Sequence, residues 1–569
     1  MTSAKFKLKP TSYQHKPISY AYAFCVLGIF FVVLVTMEFS IKELYLRAMP
    51  QDLFFQLDGI YRLSIGQRIY SDFSTPIGPL IYVIPLLFVK LGANLVLSIN
   101  YASGFLLIAA FLIVAYLAWT RLPPLFGLAL GVWVGLALAT RMNFGDDPAA
   151  VTLAMNYNRQ GDAALVLAML MFRTPRNIGP VIALVDGVVY AILTAFLIYT
   201  KITFGLVALA FAPIIIWPQH DRLVVLSAFA LGFGVLVSVA EYGYGLKLQW
   251  IEPVRMAIQS GDPKSTALAE DFSALILNLP ELLVCTLVPA WFLWRDHRLT
   301  PLAAIFFVMV AGASVGLMPH NGQHYLLFLP AILFFIAAPA AAQLNGSLSA
   351  LNEVRRGARL DQALAIATIA VLALESGPQA VNLFYATYRS LTLPPLVANN
   401  NVLSRIVARA ENYEHPSELL IGPIVDGRVN AADAFAVGRF FKPEYRFDTL
   451  TMLEYRDYLT DGMQAARRGC EPESRILTFD NGNPFPLLLT WPAGGGVLVV
   501  HPDRLVSKKV HPSDEEMFRN INCVLVPKLP ASLNARDFML DVYGRRLSER
   551  FAASYETPLW KVFKLSSPG

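Results

Sequence analysis

Residues 20–37 read YAYAFCVLGIFFVVLVTM and contain no charged side chain. A run of about 18 or more apolar residues is long enough to cross the hydrocarbon core of a bilayer as a helix. The whole chain has the same character, since 55% of its 569 residues are hydrophobic and 15% are charged. Soluble domains carry about 25% charged residues. The sequence therefore indicates a polytopic α-helical membrane protein, and no basic run interleaved with aromatic residues points to nucleic acid.

Further apolar segments bring the expected number of transmembrane helices to about eleven. They lie near residues 95–118, 123–140, 162–172, 179–199, 203–217, 223–239, 278–294, 301–318, 324–342 and 361–376. One more segment, 77–91, is ambiguous because it is short and contains Pro85.

The loop charges predict the orientation, because cytoplasmic loops are enriched in Lys and Arg. If 77–91 does not cross, the basic N-terminus and the basic loop 343–360 share one side, and the acids of the first loop lie on the other. The basic start resembles a signal peptide, but no small-residue cleavage site follows it. We predict a retained first helix and a cytoplasmic N-terminus in a bacterial inner membrane.

We predict two domains, a transmembrane domain at 1–378 and an extracytoplasmic α/β domain at 379–569. After residue 380 the charges increase and the apolar runs shorten to strand length, which favours a small α/β domain. In it, SRILTF, INCVLVP and LWKVFKL are typical of strands, and EEMFRNI and SLNARDFMLDVYGRRL of helices. The expected external loops of the transmembrane domain are 41–94, 141–162 and the interfacial loop 241–277.

Two features of the C-terminal region leave alternatives open. Cys470 and Cys523 could form a disulfide in an oxidising compartment, but their spacing matches no motif. The glycine run in TWPAGGGVL lacks the strand and helix of a nucleotide-binding loop, so we interpret it as an ordinary loop.

The first external loop is the long polar interruption after the first helix. Residues 49–82 read MPQDLFFQLDGIYRLSIGQRIYSDFSTPIGPLIY and hold three acids, Asp52, Asp58 and Asp72, among aromatic residues. At 100° per residue, Asp58 lies nearly opposite Asp52 on a helix. We therefore expect Asp58 to be solvated rather than to share a site with Asp52.

This loop resembles the first external loop of GT-C-type glycosyltransferases, especially protein O-mannosyltransferases and lipid A aminoarabinose transferases. The similarity consists of an acid soon after the first helix, then Gly66, then a Tyr-x-Asp and a PIGPL segment. Weaker similarities follow in DAALVLAMLMFR, YTKITFG and PHNGQHYLLFLP. The chain departs from the family where Leu53 replaces the second acid of an Asp-Glu pair, and in its NFGDDP segment.

The resemblance implies an enzyme that transfers a sugar from a polyprenyl-phosphate-linked donor to a lipid, glycan or protein acceptor on the outer face of the membrane. Asp52 is then the expected catalytic base, since removal of the acceptor's proton contributes about 10²–10⁴-fold. The alternative is that Asp52 merely caps the helix that follows it.

The remaining candidate residues fall into two groups by charge. The supporting acids are Asp72, Asp146, Asp147 and Asp162, and the expected ligands of the donor phosphate are Arg159, Lys201, His320 and His324.

Each candidate also has a structural interpretation. Asp72 suits a turn equally well, and Asp162 could cap a helix. Adjacent acids before Pro148 usually form a turn, although by analogy Asp146 and Asp147 could bind Mg²⁺ or Mn²⁺. Arg159 and Lys201 could instead extend their charged ends to the membrane interface without binding a phosphate.

Two other classes of function remain alternatives. A polymerase, ligase or phosphotransferase of envelope polysaccharide would use similar donors but depend on several external arginines. A transporter or flippase is less favoured, because such proteins tend to show two matching halves with paired interrupted helices, and the sequence shows neither.

Overall fold

The computed structural model of the chain describes residues 20–260 except 48, 144–147, 150 and 177, and residues 301–313 except 303, 307 and 311. It also describes residues 373 and 376–408, and residues 452–566 except 499, 501, 503 and 504.

The N-terminal part is helical. Its helices are α1 (Tyr20–Ser40), α2 (Pro50–Ser64), α3 (Leu80–Lys90), α4 (Leu97–Arg121), α5 (Pro124–Ala139), α6 (Asn156–Leu170), α7 (Pro180–Thr200), α8 (Ile202–Ile216), α9 (Arg222–Ser238), continued by a π-helix (Val239–Gly243), and α10 (Ile251–Ser260). Helical residues follow within 301–313, and α11 spans residues 376–392.

Four helices of the described chain are long and apolar enough to cross a membrane, namely α1, α4, α7 and α9 with its π-helical extension. Helices α3, α5 and α8 are apolar but shorter. The expected segments 278–294 and 324–342, and nearly all of 361–376, lie outside the described residues. The total of about eleven spans therefore stays a prediction.

Helix α3 lies at one end of the helical bundle rather than crossing it. Near its C-terminus, the Phe88 ring contacts Phe39 at the end of α1 and Tyr101 in α4, with centroids 6.2 and 5.9 Å apart. Just before its N-terminus, the Gly78 amide donates to the Thr200 carbonyl at the end of α7 (3.1 Å). Both ends of α3 thus lie at the same end of the bundle, so this helix does not cross it. This is the case in which the basic loops and the acidic first loop are expected on opposite sides of the membrane.

The C-terminal part combines helices with a four-stranded sheet of order β3-β4-β6-β5. Strands β3 and β4 are parallel, whereas β6 is antiparallel to both β4 and β5. The strands are β3 (Ile476–Thr478), β4 (Cys523–Pro527), β5 (Phe551–Glu556) and β6 (Trp560–Leu565), and the helices are α12 (Met452–Gly469), α13 (Phe485–Leu489), α14 (Asp514–Met517) and α15 (Leu533–Arg550). The strands expected after residue 470 and the helix expected at SLNARDFMLDVYGRRL are present, the helix expected at EEMFRNI ends at Met517, and β5 is an additional strand. The expected domain boundary at 378/379 falls inside α11.

The first external loop packs directly on the C-terminal part. Strand β1 (Leu44–Tyr45) pairs in parallel with β2 (Ile406–Val407). The Ser74 amide donates to the Gly496 carbonyl (3.1 Å), and the Ser74 carbonyl accepts from the Leu498 amide (3.0 Å). The glycine run therefore forms a loop, as expected, and this loop holds the first external loop in place.

Asp58 corrects an expectation from the sequence. Its side chain is completely buried, not solvated, and pairs with Arg62 one helical turn later (2.9 Å). Arg62 also donates to the Gly494 carbonyl. Helical periodicity places Asp58 opposite Asp52, as expected, but the face that carries Asp58 is covered by the C-terminal part instead of by water.

Cys470 and Cys523 are joined by a disulfide, which resolves the open alternative. The bond connects the end of α12 to the start of β4, and both residues lie in the core shared by the first loop and the sheet. Cys25, the free cysteine of the described chain, is exposed on α1.

We predict that Cys470→Ser lowers the midpoint of thermal unfolding of the detergent-solubilised protein. Closing a loop of 53 residues restricts the unfolded chain and typically stabilises a domain by about 2–4 kcal/mol. A reducing agent should shift the wild-type midpoint to that of the variant, and Cys25→Ser should change nothing. Equal midpoints with and without reductant would contradict the prediction.

Candidate functional site

Asp52 lies in the first turn of α2. The helix begins at Pro50, and Met49 occupies the cap position in the left-handed region (φ 51°) without a side-chain capping bond. Asp52 is half-buried, and the alternative that it caps the helix is wrong because Met49 holds that position. The helix dipole favours a negative charge at this point.

The N-terminus of α6 meets α2 beside Asp52. Helix α6 also begins after a methionine in the left-handed region, Met155 (φ 54°), and non-glycine residues in that region often mark functional sites. Asn156 donates to Gln56 of α2 (3.4 Å). The next residue, Tyr157, is close enough to Asp52 for the two groups to interact electrostatically. The two helix starts therefore face one site.

The C-terminal part supplies another wall of this site. The Tyr455 ring of α12 contacts the Phe54 ring of α2 in a tilted arrangement, with ring centroids 5.4 Å apart. The Asp52 carboxylate also interacts electrostatically with the buried Tyr455. Asp52 therefore lies between a tyrosine of the helical bundle and a tyrosine of the C-terminal part.

Arg159 and Lys201 both lie within electrostatic reach of Asp162. Asp162 is buried and interacts through space with both cations. Its Oδ2 atom has no hydrogen-bond partner among the described residues. Asp162 is the seventh residue of α6, so the alternative that it caps this helix is wrong.

The two cations are held by polar and aromatic groups. Lys201 Nζ donates to Asn158 Oδ1 (3.1 Å) and lies over the rings of Tyr157 (5.6 Å) and Phe204 (6.0 Å). Arg159 Nη2 donates to the carbonyl of Thr140 (2.9 Å). Charge, hydrogen-bond donors and helix N-termini thus converge at one end of the bundle, which suits binding of an anion.

Lys201 lies in the single-residue connection between α7 and α8, outside both helices. Removal of its ammonium group from water lowers the pKa of Lys201 to about 8, and the nearby Asp162 carboxylate opposes this shift. The charge of Lys201 therefore changes within an accessible pH range.

Asp72 has a structural role in the first loop. Its Oδ2 atom accepts from the Arg68 amide (2.7 Å), and its own amide donates to the Arg68 carbonyl (2.9 Å). These two bonds close the turn 68–72, which supports the turn interpretation over a catalytic one.

Four of the candidate residues, Asp146, Asp147, His320 and His324, lie outside the described residues. Within the described ranges, no group of three His, Cys, Asp or Glu residues could hold a metal ion. The Mg²⁺ or Mn²⁺ site at the acidic pair stays a prediction.

Sequence reasoning missed a second polar cluster at the same end of the bundle. Arg141, after α5, lies 3.6 Å from Glu38 of α1 and donates to Asn100 of α4 (3.4 Å). Asn382 of α11 accepts from the Thr140 hydroxyl (3.0 Å) and the Arg141 amide (2.9 Å). The signal in the sequence was the presence of Glu38 and Arg141 at the ends of two apolar runs, where a buried charge needs a partner.

Comparisons with known proteins give one similar structure. No protein-family model matches the chain, and no curated protein matches it. The crystal structure of ArnT from Cupriavidus metallidurans bound to undecaprenyl phosphate aligns with 96% of this chain and 98% of that chain, at 15% identity and a TM-score of 0.37. This TM-score is too low to establish a common fold.

We predict that the affinity of this site for inorganic phosphate falls as the pH rises through about 8. Deprotonation removes the positive charge of Lys201, whose pKa burial lowers to about 8, and with it the charge-assisted bond to a phosphate. Binding to the nanodisc-embedded protein would be measured from about pH 7.5 to 9.5, a range that brackets this pKa. Lys201→Arg stays charged and should remove the pH dependence. A wild-type profile that is flat, or that Lys201→Arg leaves unchanged, would exclude Lys201 as the titrating group.

We predict that Asp72→Asn retains activity, because the amide oxygen can still accept from the Arg68 amide. Asp72→Ala should lower the free energy of unfolding by about 1 kcal/mol through loss of this bond. Thermal unfolding and sugar transfer would be measured on both variants. A large loss of kcat in Asp72→Asn with unchanged stability would instead assign Asp72 a chemical role.

Proposed function

We propose that the protein is an integral membrane glycosyltransferase that moves a sugar from a polyprenyl-phosphate-linked donor to a lipid, glycan or protein acceptor on the outer face of the membrane. The observation that carries the proposal is the convergence of Arg159, Lys201 and Asp162, linked to Asp52 through Tyr157, which interacts with both Lys201 and Asp52. These groups lie where several helices of an apolar bundle end, so a lipid-linked phosphate can reach them without leaving the bilayer.

The two cations, buried Arg159 and half-buried Lys201, suit the leaving group of such a transfer. A phosphate that departs with the bonding electron pair gains negative charge, which preorganised cations stabilise most strongly in a site that excludes water. Asp162 acts on both cations through space and has a buried oxygen without a hydrogen bond among the described residues. In this proposal, the donor phosphate binds near Arg159 and Lys201.

Asp52 suits the role of general base. It is half-buried, so in this proposal an acceptor hydroxyl can reach its carboxylate. The acceptor hydroxyl oxygen forms a bond to the anomeric carbon while its proton passes to the Asp52 carboxylate. The bond from the anomeric carbon to the phosphate oxygen breaks, and polyprenyl phosphate leaves with the electron pair.

The disulfide supports the outer-face location. Disulfides persist in oxidising compartments such as the bacterial periplasm and are rare in the cytosol. Cys470 and Cys523 are bonded within the C-terminal part, which packs on the first loop beside Asp52. An extracytoplasmic C-terminal part and a cytoplasmic N-terminus are consistent with this arrangement.

The decisive experiment measures transfer from a panel of radiolabelled polyprenyl-phosphate sugars in membranes that contain the full-length protein. We predict that Asp52→Asn lowers kcat by about 10²–10⁴-fold, with little change in KM for the donor. Asn keeps the shape of the side chain and removes the charge. The control variant is Asp457→Asn, an accessible acid of α12 whose carboxylate contacts its neighbour Arg456.

The outcomes separate the alternative functions. Near-normal activity of Asp52→Asn would contradict its role as base. Absence of transfer by the wild type from every donor would favour the ligase, polymerase or flippase alternatives. A chelator added to the same assay tests the metal prediction at Asp146 and Asp147, since a metal-dependent transfer stops and recovers when Mg²⁺ or Mn²⁺ is restored.

A further inference from the structure

A second polar compartment lies beside the site of Arg159 and Lys201, on the other side of the peptide bond between Thr140 and Arg141. The Thr140 carbonyl accepts from Arg159 (2.9 Å), while the Thr140 hydroxyl and the Arg141 amide both donate to Asn382 (3.0 and 2.9 Å). The same two residues thus form a wall of both compartments.

Several side chains of this compartment are buried with polar atoms that make no hydrogen bond among the described residues. These atoms are Arg141 Nη1, Asn100 Nδ2, and both Nε2 and Oε1 of Gln379. Each of the three side chains is 2% exposed. Buried polar groups in proteins almost always have a partner, so a cluster of exceptions calls for a ligand or ordered water.

The members of the cluster come from different helices. Arg141 contacts Asn100 of α4 (3.4 Å) and Glu38 of α1 (3.6 Å). Gln379 lies three residues before Asn382 on α11, and residues at this spacing share a helix face. Asn382 also donates to the Pro148 carbonyl (2.8 Å), which fixes this face of α11 against the second external loop.

The chemistry of the compartment differs from that of the phosphate site. Among the described residues, Arg141 is the cation of this compartment and faces the Glu38 carboxylate, and the other members are neutral amides. Amides offer both donors and acceptors, so the open positions suit a neutral ligand with several hydroxyl groups. Here one carboxylate opposes one described cation, whereas two cations face Asp162 at the phosphate site, so a phosphate is better accommodated there.

We propose that this compartment, formed by Asn100, Arg141 and Gln379, binds the sugar ring of the lipid-linked donor and discriminates the glycosylated lipid from the bare lipid phosphate. This inference rests on the proposed function and assigns the sugar to one side of the Thr140–Arg141 peptide bond and the phosphate to the other.

Gln379→Leu gives the sharpest test, because it removes no hydrogen bond of the described structure. Thermal stability should therefore be kept or rise, since replacing a buried group that has no partner relieves its desolvation. Binding would be measured with the full-length protein in nanodiscs, using undecaprenyl phosphate and undecaprenyl phosphate carrying pentoses, hexoses or amino sugars as probes. We expect affinity for the preferred glycosylated probe to fall about tenfold, the effect of one or two hydrogen bonds, with affinity for the bare lipid unchanged.

Two control variants accompany it. Lys201→Met removes a proposed phosphate ligand and should lower the affinity for both probes by similar factors. Gln219→Leu changes another buried glutamine, whose Nε2 donates to the carbonyls of Met171 (2.9 Å) and Ile215 (3.0 Å) at the opposite end of the bundle. It should lower thermal stability and leave the ratio of the two affinities unchanged.

The possible results separate this inference from the proposed function. A wild-type protein that binds neither probe overturns both. Equal affinity for the two probes, or an unchanged ratio in Gln379→Leu, overturns the inference alone and assigns the amides to ordered water. A selective loss of the glycosylated probe in Gln379→Leu supports it.

Discussion

The charges of Arg159, Asp162 and Lys201 at one end of an apolar bundle are the constraint on which the rest of the structure depends. Placing such groups away from water is costly unless other charges and hydrogen bonds compensate. Helices α6, α7 and α8 have to converge closely for this compensation. Gly161 of α6 permits it, because a Cβ there would lie 2.5 Å from the Phe204 ring of α8. The close approach of Gly78 to the carbonyl of Tyr199 brings the first loop to the same point.

The C-terminal part packs against this end of the bundle and shares a hydrophobic core with it. Tyr455 interacts electrostatically with Asp52. Arg62, paired with the buried Asp58, donates a hydrogen bond from α2 to the Gly494 carbonyl. The core that contains Leu53 and Leu57 continues into the sheet at Ile476 and Trp560. A change in the packing of the sheet can therefore alter the position of Asp52, and the disulfide stabilises the region in which this packing occurs.

The sequence predicted those features that depend on local pattern. Apolar length located the described spans, and short apolar runs between turns located strands such as Cys523–Pro527. The resemblance in the first loop selected Asp52, and the weaker similarities in DAALVLAMLMFR and YTKITFG selected Asp162 and Lys201. Burial of Asp58 was missed, because helical periodicity gives the face of a residue but not what covers that face. The polar cluster of Asn100, Arg141 and Asn382 was also missed, since its members are far apart in the chain and each has an ordinary structural interpretation alone.

The two ends of the bundle differ in how their buried charges are paired, and this difference supports the proposed site at the α2–α6 end. At the opposite end, Arg121 pairs directly with Asp186 (2.7 Å), which also accepts from the Tyr116 hydroxyl (2.6 Å). Such a pair is largely compensated by its own members and serves to hold helices together. At the α2–α6 end, Asp58 and Glu38 also pair with arginines, but Asp162 acts on its cations through space, and one of its oxygens makes no hydrogen bond within the described chain. A protein that keeps charges apart in a buried site retains the capacity to bind another charged group between them.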